Sequence, residues 1–421
     1  MKYNRTELTE NIGFTTVIDK KFKTANITVR FMTKLSEKTA SANVIGTDVL
    51  TYSTSNLPTL SLLNEKLSSL YGAGLSSSSA KNGDIQILGI NASYIINRYA
   101  IDGEDIESEM LSILMDSIFS PNASNGKFDE ESFNITKKEL LDRIDAEINN
   151  KRGYAISQAT KTAFSGEPAE FTVYGTKESV DSVTPETAYS AYLDLLKTAQ
   201  IEITYVAPEE NPAVMKKFEE NFAKIERNPE TVKFKAPSPI KSEVITKSEE
   251  FDVRQCKMVM VFKTDSENKY ALRMLNNLWG LTPVSKLFMN VREKLSLCYY
   301  CASRFNDYKN SIFVDIGVER ANIEKAKSEI LRQLDEVKNG NVTDEEISNA
   351  LLSVDNALTS IGDTPSSYSV WYFNCFCDGE IMTPAEKFKK YSEVTKEDII
   401  NVAKTLNLDS IYIMYDKEES K

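Results

Sequence analysis

The 421-residue sequence predicts an α+β protein assembled from two homologous halves. Three observations lead there. Short motifs recur in the same order in both halves, the recurring runs alternate between strand and helix character, and a charged, proline-containing stretch separates the copies.

Taken in order, NITVRF (26–31) pairs with KMVMVF (257–262), both β-branched or apolar runs of strand length. NEKLSSLY (64–71) pairs with VREKLSLCY (291–299), a helix-like run that breaks into a strand. FDEE (128–131) pairs with TDEE (343–346), each opening a longer helix with acidic residues where the helix dipole favours them. In the first copy Phe133, Leu140, Leu141, Ile144 and Ile148 form one apolar stripe along a charged helix at 129–149, with Asp129 at its start. Finally SVTPE (182–186) and IEITYV (201–206) match EVTKE (393–397) and IYIMY (411–415), a helix start followed by a closing strand. The offset is 394 − 183 = 211 there and 292 − 64 = 228 earlier, so small insertions separate the copies. Any one match is weak; five in register carry the repeat. Each copy therefore reads as strand, helix, helix, strand, two longer helices and a final strand.

Residues 207–243 hold five of the 12 prolines and many charges, the composition of a linker with one short helix near 213–226. The division that follows is an N-terminal half 1–206, a linker 207–243 with its boundary near residue 230, and a C-terminal half 244–421.

Composition narrows function by exclusion. With 41% apolar and 27% charged residues, the chain has the make-up of a soluble globular protein, and its length suits at least two domains. Its 50 basic against 62 acidic residues give a net charge of −12, which repels nucleic acid and anionic membranes. The N-terminal MKYNRTELTENIGF has no apolar core of a signal peptide, and no run of ~18 apolar residues could span a bilayer, so a cytoplasmic location is expected. Five cysteines, an odd number, favour free thiols. Histidine is absent altogether, which removes the commonest general base and the commonest transition-metal ligand.

Cys298, Cys301, Cys375 and Cys377 could in principle supply four thiolates to zinc. Cys298 and Cys301 fall three apart in an apparent strand, where they point to opposite faces, and WYFNCFC (371–377) is an apolar run in which cysteine behaves as a small hydrophobe. Neither glycine-rich phosphate-loop pattern occurs. KNGD (81–84) is a hairpin signal, and Glu130/Glu131 and Glu345/Glu346 read as helix-start charges. What remains is Arg292 within an apolar helical run and Tyr299 seven residues on. A guanidinium and a phenol on one side of a helix-to-strand turn can hold a carbonyl or a developing oxyanion. Equally, the arginine could be tied to a carboxylate and the tyrosine packed in the core; the residues alone leave both readings open.

SKLFMNVREKLSLCYYCAS (285–303) resembles the C-terminal motif of the pitrilysin/insulinase family of zinc peptidases, the mitochondrial processing peptidase-like proteins. TAFSGEPAEFTVYGTKESVDSVTPE (162–186) is similar to the family's segment between its long helices, and the likeness runs over nearly the whole chain. The resemblance implies two homologous α+β halves, each a mixed or antiparallel β-sheet covered by helices. It also implies that Arg292 and Tyr299 reach substrate at a catalytic centre.

Active family members carry H-x-x-E-H on a helix of the first half, with a distal glutamate as third zinc ligand. Here the corresponding helix is SANVIGTDVLTYST (41–54), with Val44, Thr47 and Asp48 at the motif positions and the distal place near Arg143. The resemblance therefore implies a bacterial member without the zinc motif, similar to those associated with the 5-aminopentanol modification of elongation factor P. No cofactor is expected in this chain and no self-contained peptidase activity; zinc is expected only in a partner. In the family's two-chain enzymes the subunit lacking zinc contributes the arginine and tyrosine, so Arg292 and Tyr299 are the candidate site. The expected partners are a zinc-bearing homologous subunit, or a second copy, and a peptide, with no nucleic acid and no membrane. GLSSSSAKNGDIQILGI (74–90) is a candidate edge for an extended peptide or an ordinary exposed hairpin. The alternative function is an inert scaffold or homodimeric peptide-binding protein, an accessory in elongation factor P modification.

Overall fold

The structure, a computed structural model, describes residues 1–417. Its first half runs β1 (Lys2–Thr9), β2 (Ile12–Ile18), β3 (Thr24–Lys34), α1 (Ala40–Asp48), α2 (Leu60–Ser69), β4 (Gly74–Asn82), β5 (Ile85–Ile95), α3 (Ile106–Phe119), a two-residue ribbon β6 (Ala123–Ser124) and β7 (Lys127–Phe128), α4 (Glu130–Glu147), α5 (Lys151–Ala163), α6 (Lys177–Ser182), α7 (Pro185–Thr198) and β8 (Gln200–Ala207). After α8 (Pro212–Phe222) the second half runs β9 (Ile245–Phe251), β10 (Cys256–Lys263), α9 (Lys269–Asn276), β11 (Cys298–Asn306), β12 (Ser311–Val318), α10 (Ile323–Lys338), α11 (Asp344–Thr359), α12 (Pro365–Asp378), α13 (Pro384–Ser392), α14 (Lys396–Thr405) and β13 (Asn407–Asp416).

The two sheets confirm the repeat strand by strand. One has the order β1-β2-β8-β3-β5-β4 and the other β11-β12-β10-β13-β9. Reversing the second gives β9-β13-β10-β12-β11, so β2, β8, β3, β5 and β4 correspond to β9, β13, β10, β12 and β11. In each, the pair at one end (β2 with β8, β9 with β13) is parallel and the rest antiparallel. β1 adds a sixth strand to the first sheet only, antiparallel to β2. The fold class is thus the expected α+β with mixed sheets. The coarse element list, with three strands per copy, was short by several helices, by three strands of the first sheet and by two of the second. KNGD turns β4 back onto β5 through Gly83, whose φ of 56° suits glycine, and β11 likewise turns back onto β12.

Alternation fixes which face is core. Along β3, Ile27, Val29 and Phe31 point into the core with α1, α3 and α7, whereas Asn26, Thr28 and Arg30 point the other way. Helix α4 begins at Glu130 and buries Phe133 and Leu140; α11 begins with a capping box of Thr343 and Glu346.

The compact units are interleaved along the chain. One comprises 1–145, 171–234 and 361–381; the other 146–170, 235–360 and 382–421, of which 418–421 lie outside the described residues. The contiguous division 1–206, 207–243 and 244–421 thus gains an exchange of one helix from each copy, and the switch within the linker falls between Phe234 and Lys235. In the first unit α12 covers the outward face of the sheet. Its Ser369 accepts from Arg30 at 3.0 Å, and the Phe373 ring lies 4.5 Å from the Arg30 guanidinium. In the second unit α5 lays Ala155, Ala159 and Ala163 on Val259, Val261, Tyr412 and Met414. Four-residue spacing of small side chains lets that helix approach closely.

Candidate functional site

Arg292 and Tyr299 do come together, by two backbone irregularities. The segment Phe288–Lys294 is a π-helix, a rare wide turn often found at functional sites. Val291, fully buried, anchors it, and Arg292 therefore flanks the core. The turn closes with Leu297 N–H donating to the Val291 carbonyl at 3.1 Å and with Ser296 in the left-handed region at φ 48°. The chain then enters β11 with a bulge. Cys298 pairs with Val318 and Tyr300 with Gly317, so Tyr299 is the extra residue, left unpaired and turned outward.

Tyr299 is 78% exposed, which overturns the reading of a core tyrosine. The Arg292 side chain is 33% exposed, its guanidinium 4.4 Å from the Phe288 ring centroid and 5.7 Å from that of Tyr299. Two aromatic rings thus lie within cation–π range of the guanidinium, whose N–H groups can still donate to a ligand. Among the described residues its carboxylate contact is with the neighbouring Glu293 at 3.5 Å, half exposed and readily exchanged for a ligand oxygen. Met289, on the same π-helical segment, is also exposed. Phe288 was missed in the sequence, although an aromatic four residues before an arginine on one helix face is a legible signal.

Chemically the pair can donate hydrogen bonds to a carbonyl, carboxylate or oxyanion. It holds no nucleophile and no base. Burial pushes the nearby Cys298 thiol up to about 11, so it stays a thiol at neutral pH. Cys298 and Cys301 sit in one unit and Cys375 and Cys377 in the other, all four as free thiols.

The positions of the lost metal motif lie in the first unit. Val44, Thr47 and Asp48 are buried on α1, and the Thr47 hydroxyl is spent on the Asn43 carbonyl at 2.8 Å. Burial raises the Asp48 carboxyl, with a Ser77 hydrogen bond and the Arg143 guanidinium partly opposing that shift. Arg143 also lies 5.9 Å from the Tyr174 ring, and Tyr52 hydrogen-bonds to Glu139. These residues do not fit a zinc ion. One carboxylate faces a fixed positive charge where metal chemistry needs three or four donors, and no group of three potential ligands occurs among the described residues.

Beside them β4 forms an edge of its sheet with no proline, no bulge and only Lys81 charged, and Lys81 is folded onto the Phe171 carbonyl at 2.6 Å. Such an edge presents a row of backbone groups to another strand. No helix among the described residues is long and apolar enough to cross a membrane.

Comparison with known proteins adds the following. The family described as "Peptidase M16 inactive domain" matches residues 182–353. "Probable inactive metalloprotease YmfF" of Bacillus subtilis (strain 168) is 27% identical over 400 residues, spanning 94% of this chain and 93% of that protein. Among solved structures, a conserved protein from Enterococcus faecalis V583 superposes over 100% of both chains with TM-score 0.92 at 23% identity. A peptidase M16 inactive domain from Pseudomonas fluorescens does so over 100% of both with TM-score 0.80 at 14%. A protease from Helicobacter pylori covers 98% of this chain and 99% of its own with TM-score 0.79 at 14%.

Proposed function

We take as premise that this chain belongs to the M16 peptidase family, as an inactive homologue of its metallopeptidases, and we propose that it is the non-catalytic subunit of a two-chain peptidase. A zinc-bearing homologue would be the partner and would carry out the hydrolysis. This chain would contribute Arg292 and Tyr299 to binding the peptide and the charge that develops on it. The observation that carries the reading is the bulge at Tyr299 beside the aromatic clamp on Arg292. A tyrosine turned out to solvent next to a half-exposed guanidinium serves no packing purpose, and strain or irregularity of this kind clusters at binding sites.

Within that reading each group has a defined task. The guanidinium offers up to five donors in one plane and can grip a peptide carbonyl or a carboxylate from two of them. The Tyr299 hydroxyl adds a donor at the end of a rigid ring. Such donors act most where an oxyanion forms, and loss of one typically costs ~100–1,000-fold in rate. β4, in the first unit, is by its own chemistry an edge to which an extended peptide could add as a strand, main chain to main chain.

The test mixes the chain with the zinc-motif homologue from the same cell, measures cleavage of a quenched fluorescent peptide library, and quantifies zinc in parallel. Activity and zinc are expected only when the homologue is present, with the mixture faster than the homologue by itself. Arg292→Ala should remove that gain without weakening assembly. A mixture that neither associates nor gains activity would favour the second reading, a peptide-binding protein or scaffold that uses β4 and takes no part in cleavage. The unblunted β4 edge is the observation favouring that alternative.

A further inference from the structure

A cavity of about 520 Å³ lies in the first unit, on the sheet face that α8 covers. None of Arg292, Tyr299 or the β4 residues is among its lining residues, and it lies toward the β1 edge of the sheet. Its origin is legible in the strands. β1 pairs with β2 so that Lys2, Asn4 and Thr6 stand opposite Ile18, Thr16 and Phe14 on one face. That row on β1 is polar and was never built to be roofed. Helix α8 packs its Phe218 against Phe14 and its Val214 into the core. The result is a trough walled by Phe14, Ile18, Tyr205, Pro212 and Met215 with Asn4 and Thr16 at its polar side.

We propose that this trough binds an uncharged, mostly apolar small molecule carrying one hydroxyl or carbonyl group. The volume falls in the range of ligand pockets, about 300–1,000 Å³. Among the lining residues only Lys2 and Glu210 are charged, and they pair with each other across the mouth at 3.3 Å. A charged ligand would give up its hydration for at most one highly exposed, well-solvated counter-charge, whereas a neutral one loses little. Both members of that ion pair are exposed, so it is weak and opens readily. Met215, unbranched and polarisable, adapts to the shape of whatever enters.

The polar group of the ligand has a counterpart waiting. The Tyr205 hydroxyl donates to the Glu209 carbonyl at 3.5 Å, the outer limit of a hydrogen bond. Behind it lies the buried Tyr94 hydroxyl, which interacts with that of Tyr205. A ligand oxygen at Tyr205 extends this pair of buried hydroxyls.

The experiment titrates 2-naphthol, neutral at pH 7, into the full chain and follows its fluorescence anisotropy, with naphthalene-2-sulfonate and naphthalene as comparisons. One saturable site for 2-naphthol is expected, with the sulfonate binding at least about tenfold more weakly. Met215→Trp, which fills the trough, should abolish saturation. Tyr205→Phe keeps the wall and removes the hydroxyl, and should weaken 2-naphthol about three- to tenfold while leaving naphthalene unchanged. Circular dichroism and melting curves establish that both variants fold. The proposal is overturned by three results: no saturation up to about 1 mM, sulfonate binding as tight as naphthol, or binding that a folded Tyr205→Phe leaves untouched. Should Met215→Trp not fold, the Tyr205→Phe and sulfonate arms decide by themselves.

Discussion

At the scale of residues, the sequence carries chemistry as types and the structure carries it as aim. Arg292 and Tyr299 were visible in VREKLSLCY, but their orientation depends on a π turn and a bulge that no periodicity announces. The clamp makes Phe288 a positioning residue. A cation on an exposed aromatic face is worth about 0.5–1 kcal/mol, so Phe288→Leu should lower the partner-dependent rate about two- to fivefold with assembly unchanged. Retaining full rate in that variant would show that the ring does not hold the guanidinium. Asp48 gives a prediction about pH. Burial raises its folded pKa above the unfolded one, so its contribution to stability is present below the unfolded pKa and is lost as pH rises through the folded value. Asp48→Asn should therefore gain on the parent as pH goes from about 4 to 7 in urea unfolding, its own curve losing this pH dependence. Identical profiles for the two proteins would mean that the carboxyl is solvated. Gly13 is set by contact: a Cβ there would collide with the Arg5–Glu202 ion pair, which lies over it. Gly13→Ala should cost about 1–3 kcal/mol.

Among elements, the strands were the most legible, because β-branched runs with period two have few alternatives; β3, β8, β10 and β13 all lie where their motifs do. The apolar stripe found α4, though Ile148 falls beyond its end, and the proline-bounded helix of the linker proved to be Pro212–Phe222, not 213–226. What stayed hidden was which sheet each helix covers, since a stripe states that a partner exists without naming it. Helices α5 and α12 show this. Charge fixes the far end of α5: the Ala163 carbonyl, at its C-terminus, accepts from Lys263 at 2.8 Å and Lys241 at 3.1 Å, and Lys263 also pairs with Asp409 at 3.1 Å. The Lys263 and Asp409 side chains are 1% and 0% exposed. Lys263→Met should thus destabilise by up to about 3 kcal/mol, by leaving the buried Asp409 carboxylate with the longer Lys241 contact at 3.5 Å, whereas Lys263→Met with Asp409→Leu should recover much of the loss. Urea unfolding of the four proteins in this cycle measures it. Equal costs for the single and double variants would place the effect on the helix terminus instead.

For the whole molecule the exchange of helices has unequal consequences, because the two faces they cover differ in chemistry. The face under α12 presents Thr28, Arg30, Glu202 and Thr204, which water can satisfy. Under α5 lie Val259, Val261, Phe313, Tyr412 and Met414, which it cannot. Burying five large apolar side chains at about 1.5–3 kcal/mol each contributes at most roughly 15 kcal/mol, comparable to the whole stability of a domain. A fragment of residues 235–417 should therefore aggregate or bind apolar dyes when made alone. Adding residues 146–170 to its N-terminus through a flexible linker should give a soluble, cooperatively melting protein. The fragment 1–234, whose uncovered sheet face is polar, should stay soluble without residues 361–381 and melt at a lower temperature. Gel filtration and thermal melts of the three distinguish the cases. If 235–417 proves monomeric and as stable without the added helix as with it, α5 is a bystander on that sheet, and the repeat would fold as two contiguous halves after all.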